Sequence, residues 1–349
     1  MDQEGKPIVA VTMGDPCGIG PEVIAKALST GTLQDHCRPI VIGSAYALMQ
    51  AAQLIAIPLR IQIIKTVSEA RDGRHDVYII DPNNLKPEDI SIGHISPQCG
   101  RAAMEWVTVA ANLAMNNQVQ SMATAPVNKK AANLAGYQAI GHMELLQEIS
   151  GSRNVATMLI SGNLRVVHLT THKSLRAACD LVTRERIHSM IELTHNSFQR
   201  WGMANPRIGV AALNPHASDE GLIGDEEALE ICPAILEAQQ NGINTYGPIP
   251  ADIVFHKAIQ GSFDVILAMY HDQGHIPIKV HGFEKSVSVN LGLPFVRTSV
   301  DHGTAFDIAG KGIADHTSMV ETIRLAYSLS SGRGLYSQDE GEDTDRRML

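Results

Sequence analysis

The stretch Met13–Val23, MGDPCGIGPEV, joins the apolar run PIVAVT (residues 7–12) to the helical pattern PEVIAKAL (residues 21–28). A strand, a glycine-rich turn and a helix in this order form the phosphate-binding unit of many dinucleotide-binding proteins. The glycine spacing here is G-x-x-x-G-x-G, which differs from the usual G-x-G-x-x-G. The stretch therefore predicts an α/β unit, and it leaves open whether the loop holds a nucleotide or only connects strand to helix.

The same alternation of strand and helix continues along the chain. Buried or half-buried strands are predicted at PIVAVT, PIVIGS, LRIQII, DVYIID, QSMATA, VATMLIS, LRVVHLTT, PRIGVAAL and DVILAMY. Helices are predicted at PEVIAKAL, RAAMEWVTVAANLAM, RERIHSMIELTHNSFQRW and EEALEICPAILEAQQNG. This order is typical of an α/β protein with a largely parallel sheet.

Bulk composition excludes several classes of protein. The 349-residue chain is 44% hydrophobic and has a formal net charge of −9, and no basic run offsets that charge. We therefore expect no nucleic-acid partner. The N-terminus lacks a signal-peptide pattern, no apolar run reaches the ~18 residues of a membrane helix, and the cysteines form no CxxC pair. These features predict a cytoplasmic protein with no membrane partner.

Three histidines follow predicted strands at the point where each strand ends. His172 follows LRVVHLTT, His216 follows IGVAALNP, and His271 follows FDVILAMY. Because the carboxyl ends of strands line the ligand crevice in open α/β sheets, we expect the imidazoles to bind a divalent cation such as Zn²⁺, Mg²⁺, Co²⁺ or Mn²⁺. Asp272 is a candidate to orient His271, to ligate the ion or to accept a proton. A single histidine would more often cap its strand, but three in matching positions favour the metal site.

Cationic side chains are candidates for anchoring a phosphate or a carboxylate. Lys279 lies in HDQGHIPIKVHGF and Arg297 in NLGLPFVRTSVDHG, both in apolar segments shaped by glycine and proline. Arginine offers a planar fork and lysine a compact charge. Lys129 in ATAPVNKK and His142 in IGHMELL are weaker candidates, and Lys129 is also a candidate proton acceptor. The alternative is that these are ordinary solvated surface cations.

Eight motifs, in their order along the chain, resemble those of the 4-hydroxythreonine-4-phosphate dehydrogenase family. They are MGDPCGIGPE, TAPVNK, GHMELL, TTHKSL, LNPHASDEGLIGDEE, YGPIPADIVF, YHDQGHIPIK and GLPFVRTSVDHGTAFDIAG, and they span about residues 7–328. The first and last also resemble signatures of isocitrate/isopropylmalate-type dehydrogenases, which bind a nicotinamide cofactor without the G-x-G-x-x-G motif. The resemblance implies a two-lobed α/β fold with a largely parallel mixed sheet and a cleft between the lobes.

The resemblance also implies a division of the chain and a partner. The cofactor-side lobe would comprise residues 1–130 with 280–330, and a metal and dimerisation lobe would comprise residues 131–279. The family works as a homodimer with a shared active site, so a second copy is the expected partner. Residues 331–349 are rich in glycine and charge, and we expect them to form a disordered acidic tail.

Carried over residue by residue, the family's metal ligands fall on the three histidines above. Its substrate-binding residues fall on His142, Lys279 and Arg297. Two further substrate positions depart from the family, because Met143 stands in place of a threonine and Ser288 in place of an asparagine. Both changes remove or shorten a polar arm, so we expect the reaction to be retained and the substrate head group to differ.

The resemblance implies an NAD cofactor, with NADP the less favoured alternative. The candidate cofactor contacts lie in the opening loop and in HGTAFDIAG, and they are Gly14, Gly18, Gly20, His302, Gly303, Thr304 and Asp307.

The predicted reaction is oxidation of the C3 hydroxyl of a 4-phosphorylated four-carbon hydroxy acid, followed by decarboxylation. The preferred substrate is D-threonate 4-phosphate, which would give dihydroxyacetone phosphate and CO₂. One alternative is 4-hydroxy-L-threonine 4-phosphate, as in pyridoxal phosphate biosynthesis. A second alternative is a three-histidine metallohydrolase that activates water, although a hydrolase would not need the HGTAFDIAG segment.

Overall fold

The structure is a computed structural model that describes residues 5–71, 76–138 and 141–335. The strands are β1 (Ile8–Thr12), β2 (Arg38–Ile42), β3 (Arg60–Ile64), β4 (Asp76–Ile80), β5 (Ser121–Thr124), β6 (Ala156–Ser161), β7 (Leu164–His168), β8 (Ile208–Ala211), β9 (Thr245–Ile249), β10 (Val265–Ala268), β11 (Val287–Leu291) and β12 (Val296–Val300). The helices are α1 (Gly20–Ser29), α2 (Thr32–His36), α3 (Ala45–Leu54), α4 (Pro97–Met115), α5 (Lys129–Leu134), α6 (His142–Ser150), α7 (Leu175–Cys179), α8 (Arg184–Arg200), α9 (Cys232–Gln240), α10 (Ala251–Ile259), α11 (His271–Gly282) and α12 (Thr317–Ser330). Among the residues described, no helix is both long enough and apolar enough to cross a membrane.

The chain divides into two compact units, and the first comprises Met1–Arg153 with Leu293–Ser331. Its strands follow the order β3-β4-β2-β1-β5-β12, and all of these neighbours pair in parallel. Helices α4 and α12 pack against β1 and β5. Strands β1 and β5 are buried almost throughout, as expected for parallel strands covered on both faces.

The second unit comprises Asn154–Gly292 with the chain from Gly332 onward. Its strands follow the order β11-β6-β7-β10-β8-β9. Strand β6 is antiparallel to β11 and β7, whereas β7, β10, β8 and β9 are parallel to one another. The carboxyl ends of the neighbouring strands β7, β10 and β8 therefore lie at the same edge of this sheet.

All nine runs predicted as strands correspond to strands, β1–β8 and β10, and each predicted helix has a helical counterpart. The sequence patterns did not predict β9, β11 and β12. The four predicted helices also leave out α11, which contains Gly274 and Pro277, as well as α2, α3, α5, α7, α10 and α12. Helix α11 packs against β6 and β7, so tertiary contacts outweigh its low intrinsic helix propensity. The division between units falls at 153/154 and 292/293, whereas the predicted lobe boundaries are 130/131 and 279/280. The prediction of a disordered tail falls mainly on residues 336–349, outside the described residues.

Candidate functional site

The three predicted metal ligands follow three neighbouring parallel strands of the second unit. His172 lies in the loop after β7, His271 is the first residue of α11 directly after β10, and His216 lies in a 3₁₀ segment, Pro215–Asp219, after β8. Strand β10 pairs with β7 on one side and with β8 on the other. The strand order therefore places each of the three histidines beyond the carboxyl end of a neighbouring strand.

The rings of His172 and His271 lie close enough to share one ion. Their centroids are 5.9 Å apart, and a metal–nitrogen bond of about 2 Å puts the centroids of two imidazoles on one ion about 5–6 Å apart. Within one chain, the ring nitrogens of His216, His172 and His271 do not all lie within 4.8 Å of one another. Among the described residues, the only three His, Cys, Asp or Glu side chains with all ligand atoms within 4.8 Å of one another are Asp15, Cys17 and Cys99. The three-histidine metal site stays a prediction.

Carboxylates hold the Nδ1 atoms of two of these histidines. His271 Nδ1 lies 2.7 Å from Asp272 Oδ1, and His216 Nδ1 lies 3.2 Å from Asp219 Oδ2. A carboxylate on Nδ1 fixes the tautomer and the ring orientation and directs Nε2 toward a ligand, as is usual for metal-binding histidines. The side chains of His271 and His216 are 37% and 69% exposed, so both rings remain accessible to an ion.

The loop that carries His216 has an unusual backbone held by a buried glutamate. His216 to Glu220 all have positive φ, between 44° and 69°, a region that residues with a Cβ rarely adopt. Glu227, which is 2% exposed, accepts hydrogen bonds from the backbone N–H of Leu213 at 2.8 Å and of Asn214 at 2.7 Å. The Asn214 side chain also donates to Glu227 at 2.9 Å. Sequence reasoning missed this glutamate, which anchors the strained loop.

Two further histidines extend the cluster and were not predicted as site residues. The His275 ring stacks on His271 with a centroid distance of 3.6 Å and lies 4.5 Å from the ring of His168. His275 Nδ1 contacts the His271 backbone oxygen at 3.1 Å. Burial, together with the charges of His275 and His271, lowers the pKa of His168 to about 3. His168 therefore stays neutral, which limits charge repulsion in a cluster that is expected to accept a cation.

We expect Asp272→Asn to lower kcat, and to weaken metal binding, by about 10- to 100-fold, because the amide cannot replace the charged acceptor on His271 Nδ1. Steady-state rates and metal titration would measure both effects. Asp252→Asn, which changes an exposed carboxylate in the first turn of α10, is the matched control. Equal rates for the two variants would contradict an orienting role for Asp272.

In the first unit, the guanidinium of Arg297 lies close enough to the imidazole of His142 to change its pKa. Arg297 on β12 is 5% exposed and donates to Thr124 Oγ1 at 2.6 Å. Burial lowers the pKa of Arg297 to about 9, so it remains a cation at neutral pH. Burial and the charges of Arg297 and Lys129 lower the pKa of His142 well below its usual value. His142 Nε2 is buried and has no hydrogen-bond partner among the described residues, so an anion could supply one.

The remaining predicted substrate residues are divided between the units. Met143 is the second residue of α6, directly after His142, in the first unit. In the second unit, Ser288 on β11 is 8% exposed and pairs with Leu159 of β6. Lys279 lies on α11, with Nζ 4.7 Å from the centroid of the Phe283 ring. Lys129, predicted as a catalytic residue, is exposed at the first position of α5.

The two predicted cofactor segments contact each other in the first unit. Ile19 N–H donates to the Thr304 backbone oxygen at 3.0 Å, and a Cβ on Gly18 would lie 2.6 Å from that oxygen. Gly14 has φ +70°, and a Cβ there would collide with the backbone of Pro126. These two glycines are therefore required by contacts within the protein, and the absence of a side chain does not by itself require a cofactor.

A cavity of about 440 Å³ lies beside these segments. Its lining includes Gly18, Glu22, Ala51, Leu54, Ile92 and Gly310. Glu22 is 3% exposed; its Oε1 accepts from Lys26 Nζ at 2.9 Å and from Ala314 N–H at 2.8 Å. Glu22 Oε2 is buried and has no hydrogen-bond partner among the described residues. The cavity is therefore mainly apolar, with the Glu22 side chain in its wall.

The other predicted cofactor residues belong to the same two segments of the chain. Gly20 is the first residue of α1, where a Cβ would collide with the backbone of Met13. Gly303 and Asp307 are exposed. His302 Nδ1 contacts the Gly303 backbone oxygen at 3.0 Å, and its Nε2 is buried with no hydrogen-bond partner among the described residues. Cofactor contacts by these residues remain predictions.

Comparison with known proteins identifies the family. Residues 35–326 match the family described as "Pyridoxal phosphate biosynthetic protein PdxA". The chain belongs to the PdxA family. A D-threonate 4-phosphate dehydrogenase of Cupriavidus necator is 43% identical to it, over 94% of this chain and 98% of the relative. One of Salmonella typhimurium with the same name is 44% identical, over 92% of this chain and 98% of the relative.

A solved PdxA-type structure has the same fold. The crystal structure of a 4-hydroxythreonine-4-phosphate dehydrogenase from Klebsiella pneumoniae matches with a TM-score of 0.88 and 40% identity, over 94% of this chain and 99% of that one. The predicted family, α/β fold and oxidoreductase class are therefore confirmed. Membership of a dehydrogenase family also implies a nicotinamide cofactor. The metallohydrolase alternative has no support among these relatives.

Proposed function

We propose that this PdxA-family protein is a metal- and NAD-dependent D-threonate 4-phosphate dehydrogenase. The enzyme removes hydride from C3 of its substrate, and the resulting 3-keto acid loses CO₂ to give dihydroxyacetone phosphate. The observation that carries the proposal is the position of His172, His271 and His216 after three neighbouring parallel strands. The names of the C. necator and S. typhimurium relatives support the substrate.

The histidines fit a divalent cation, because two rings lie at a suitable separation and two have a carboxylate on Nδ1. When bound, such a cation supplies a Lewis acid that lowers the pKa of the C3 hydroxyl and withdraws electrons from the ketone during decarboxylation. Asp272 and Asp219 keep the imidazoles oriented for this task. The homodimer implied by the family could supply one histidine from the second copy, consistent with the separation of His216 from the other two within one chain.

The phosphate of the substrate is proposed to bind the group formed by Arg297, His142 and Lys129. Arg297 supplies a buried positive charge, and neutral His142 can donate through Nε2 if Nδ1 is the acceptor. When the phosphate binds these residues, C3 of the substrate is held in a restricted orientation. The binding energy of the phosphate therefore contributes to catalysis at C3. Asp272, whose side chain is 71% exposed, is the better candidate for the proton acceptor, because a lysine that binds the phosphate as a cation cannot accept a proton.

The apolar cavity beside Gly18 and Thr304 suits the adenosine half of NAD. Glu22 is part of the cavity lining, and its negative charge would disfavour the 2′-phosphate of NADP. When bound, NAD⁺ would supply the acceptor for the hydride that leaves C3.

Steady-state assays would test the substrate assignment. Purified protein with NAD⁺ and Mg²⁺, Co²⁺ or Zn²⁺ should reduce NAD⁺ faster with D-threonate 4-phosphate than with 4-hydroxy-L-threonine 4-phosphate, as followed by NADH absorbance. The double substitution Met143→Thr and Ser288→Asn should shift kcat/KM toward the amino acid, because it restores the polar groups expected for the family. Absence of NADH formation from D-threonate 4-phosphate, with NAD⁺ binding intact, would overturn the proposal.

The fold alone does not determine the substrate. A terephthalate 1,2-cis-dihydrodiol dehydrogenase from Burkholderia xenovorans matches with a TM-score of 0.66 and 28% identity, over 93% of this chain and 98% of that one. The name of that protein specifies a different substrate on the same architecture, so side-chain differences such as those at Met143 and Ser288 must carry the discrimination.

A further inference from the structure

Three potential metal ligands meet in the interior of the first unit, apart from the histidine cluster. Asp15 and Cys17 lie in the opening glycine loop, and Cys99 lies in the first turn of α4, whose N-cap is Ser96. The ligand atoms of these three side chains all lie within 4.8 Å of one another, and each residue is 0% exposed. A hydrogen bond joins the two sulfurs at 3.4 Å.

Only one of the two oxygens of the Asp15 carboxylate has a hydrogen-bond partner among the described residues. Its Oδ1 accepts the Cys17 backbone N–H at 2.9 Å, whereas Oδ2 is buried and has no hydrogen-bond partner among the described residues. A buried carboxylate is stable only with a compensating partner, and a cation is the most effective one.

Two other arrangements of these three side chains would leave Asp15 Oδ2 without a partner. A pair of hydrogen-bonded thiols does not contact Asp15 Oδ2. A disulfide between Cys17 and Cys99 would require an external oxidant and would also leave that oxygen without a partner. A cation is the arrangement that engages both sulfurs and the carboxylate.

We propose that Asp15, Cys17 and Cys99 form a binding site for a thiophilic divalent cation of the Zn²⁺ type. Thiolates with one oxygen ligand select Zn²⁺ and Cd²⁺ over Mg²⁺ or Ca²⁺. The 3.4 Å between the sulfurs is close to the value of about 3.8 Å for two thiolates on a tetrahedral Zn²⁺. The Asp89 carbonyl oxygen, 3.4 Å from Cys99 Sγ, or a water molecule could provide the fourth ligand.

The hydrogen bond between the two sulfurs lowers the pKa of Cys17 and raises the pKa of Cys99. The segment that covers the cluster is exposed at Ser91 and Ile92, and Gly93 N–H donates to the Cys17 carbonyl at 2.8 Å. Opening of this short segment would admit the ion. Once bound, the ion would tie the glycine loop to the start of α4.

Cobalt titration of the full-length protein tests the proposal. After removal of metals, Co²⁺ should produce an intense near-ultraviolet thiolate charge-transfer band, because imidazole and carboxylate ligands alone do not give one. The band should persist in His172→Ala/His271→Ala, which removes histidine ligands of the other predicted site. It should be lost in Cys99→Ser and in Cys17→Ser. Cys37→Ser is the matched control, since Cys37 is a lone thiol that is 1% exposed, and it should retain the band.

X-ray absorption identifies the ligand atoms directly, and its result on the wild type does not depend on the folding of a variant. X-ray absorption at the zinc edge of the His172→Ala/His271→Ala protein and of the wild type should show sulfur neighbours at about 2.3 Å. Zn²⁺ should also raise the Tm of His172→Ala/His271→Ala by several degrees, and Asp15→Asn should reduce that rise. Only nitrogen and oxygen neighbours, a charge-transfer band that survives in Cys99→Ser, or a Cys17–Cys99 disulfide in freshly reduced protein would overturn the proposal.

Discussion

Replacement of His271 by alanine should lower kcat by about 10³-fold or more, with the affinity for NAD⁺ nearly unchanged. His271 is the central member of the histidine cluster, since its ring lies near both His172 and His275 and its Nδ1 is held by Asp272. Loss of one ligand weakens a cation that contributes several kcal/mol to the transition state, and each 1.4 kcal/mol changes the rate by about tenfold. The measurement is the initial rate of NADH formation at saturating metal, with NAD⁺ binding followed by calorimetry.

A control histidine outside the cluster separates an effect on the reaction from an effect on folding. His256 is exposed on α10 in the same unit and lies outside the cluster, so His256→Ala should retain the wild-type rate. His216→Ala should behave as His271→Ala does. If His271→Ala lost NAD⁺ affinity and turnover in equal measure, the histidine would have a structural role and the metal site would be excluded.

Replacement of Arg297 by alanine should raise the KM for the phosphorylated substrate by about 30-fold or more. Truncation of a buried cation that binds an anion typically costs about 2–5 kcal/mol. Arg297→Lys keeps the charge but loses the planar fork, so we expect a smaller rise in KM. The KM for NAD⁺ should change little in either variant, because the proposed cofactor cavity is lined by other residues.

The exposed residue Arg101, which lies on α4 in the same unit with its side chain 55% exposed, provides the control for charge. Arg101→Ala removes one positive charge, as Arg297→Ala does, and should leave the KM unchanged. Binding of inorganic phosphate, measured by calorimetry, should be lost in Arg297→Ala and retained in Arg101→Ala. Unchanged phosphate binding in a folded Arg297→Ala protein would show that the anion binds elsewhere.

Much of the fold could be predicted because it depends on local patterns. Runs such as DVILAMY are apolar over the length of a strand, and long amphipathic runs such as that of α8 specify helices. Strand β9 was missed because Gly247 and Pro248 interrupt its apolar pattern. Helix α11 was missed because its glycine and proline disfavour a helix in isolation, while Gly274 allows it to pack closely against His168.

The sequence by itself determined the family, the dehydrogenase class and the set of histidines at strand ends, because motifs and strand endings are local properties of the chain. Tertiary structure decided which groups meet. It placed the rings of His172 and His271 near each other, used buried Glu227 to hold the loop of His216, and packed Cys17 against Cys99. Such contacts join residues whose separation along the chain follows no fixed spacing, and they depend on strand order and packing, which no local pattern encodes.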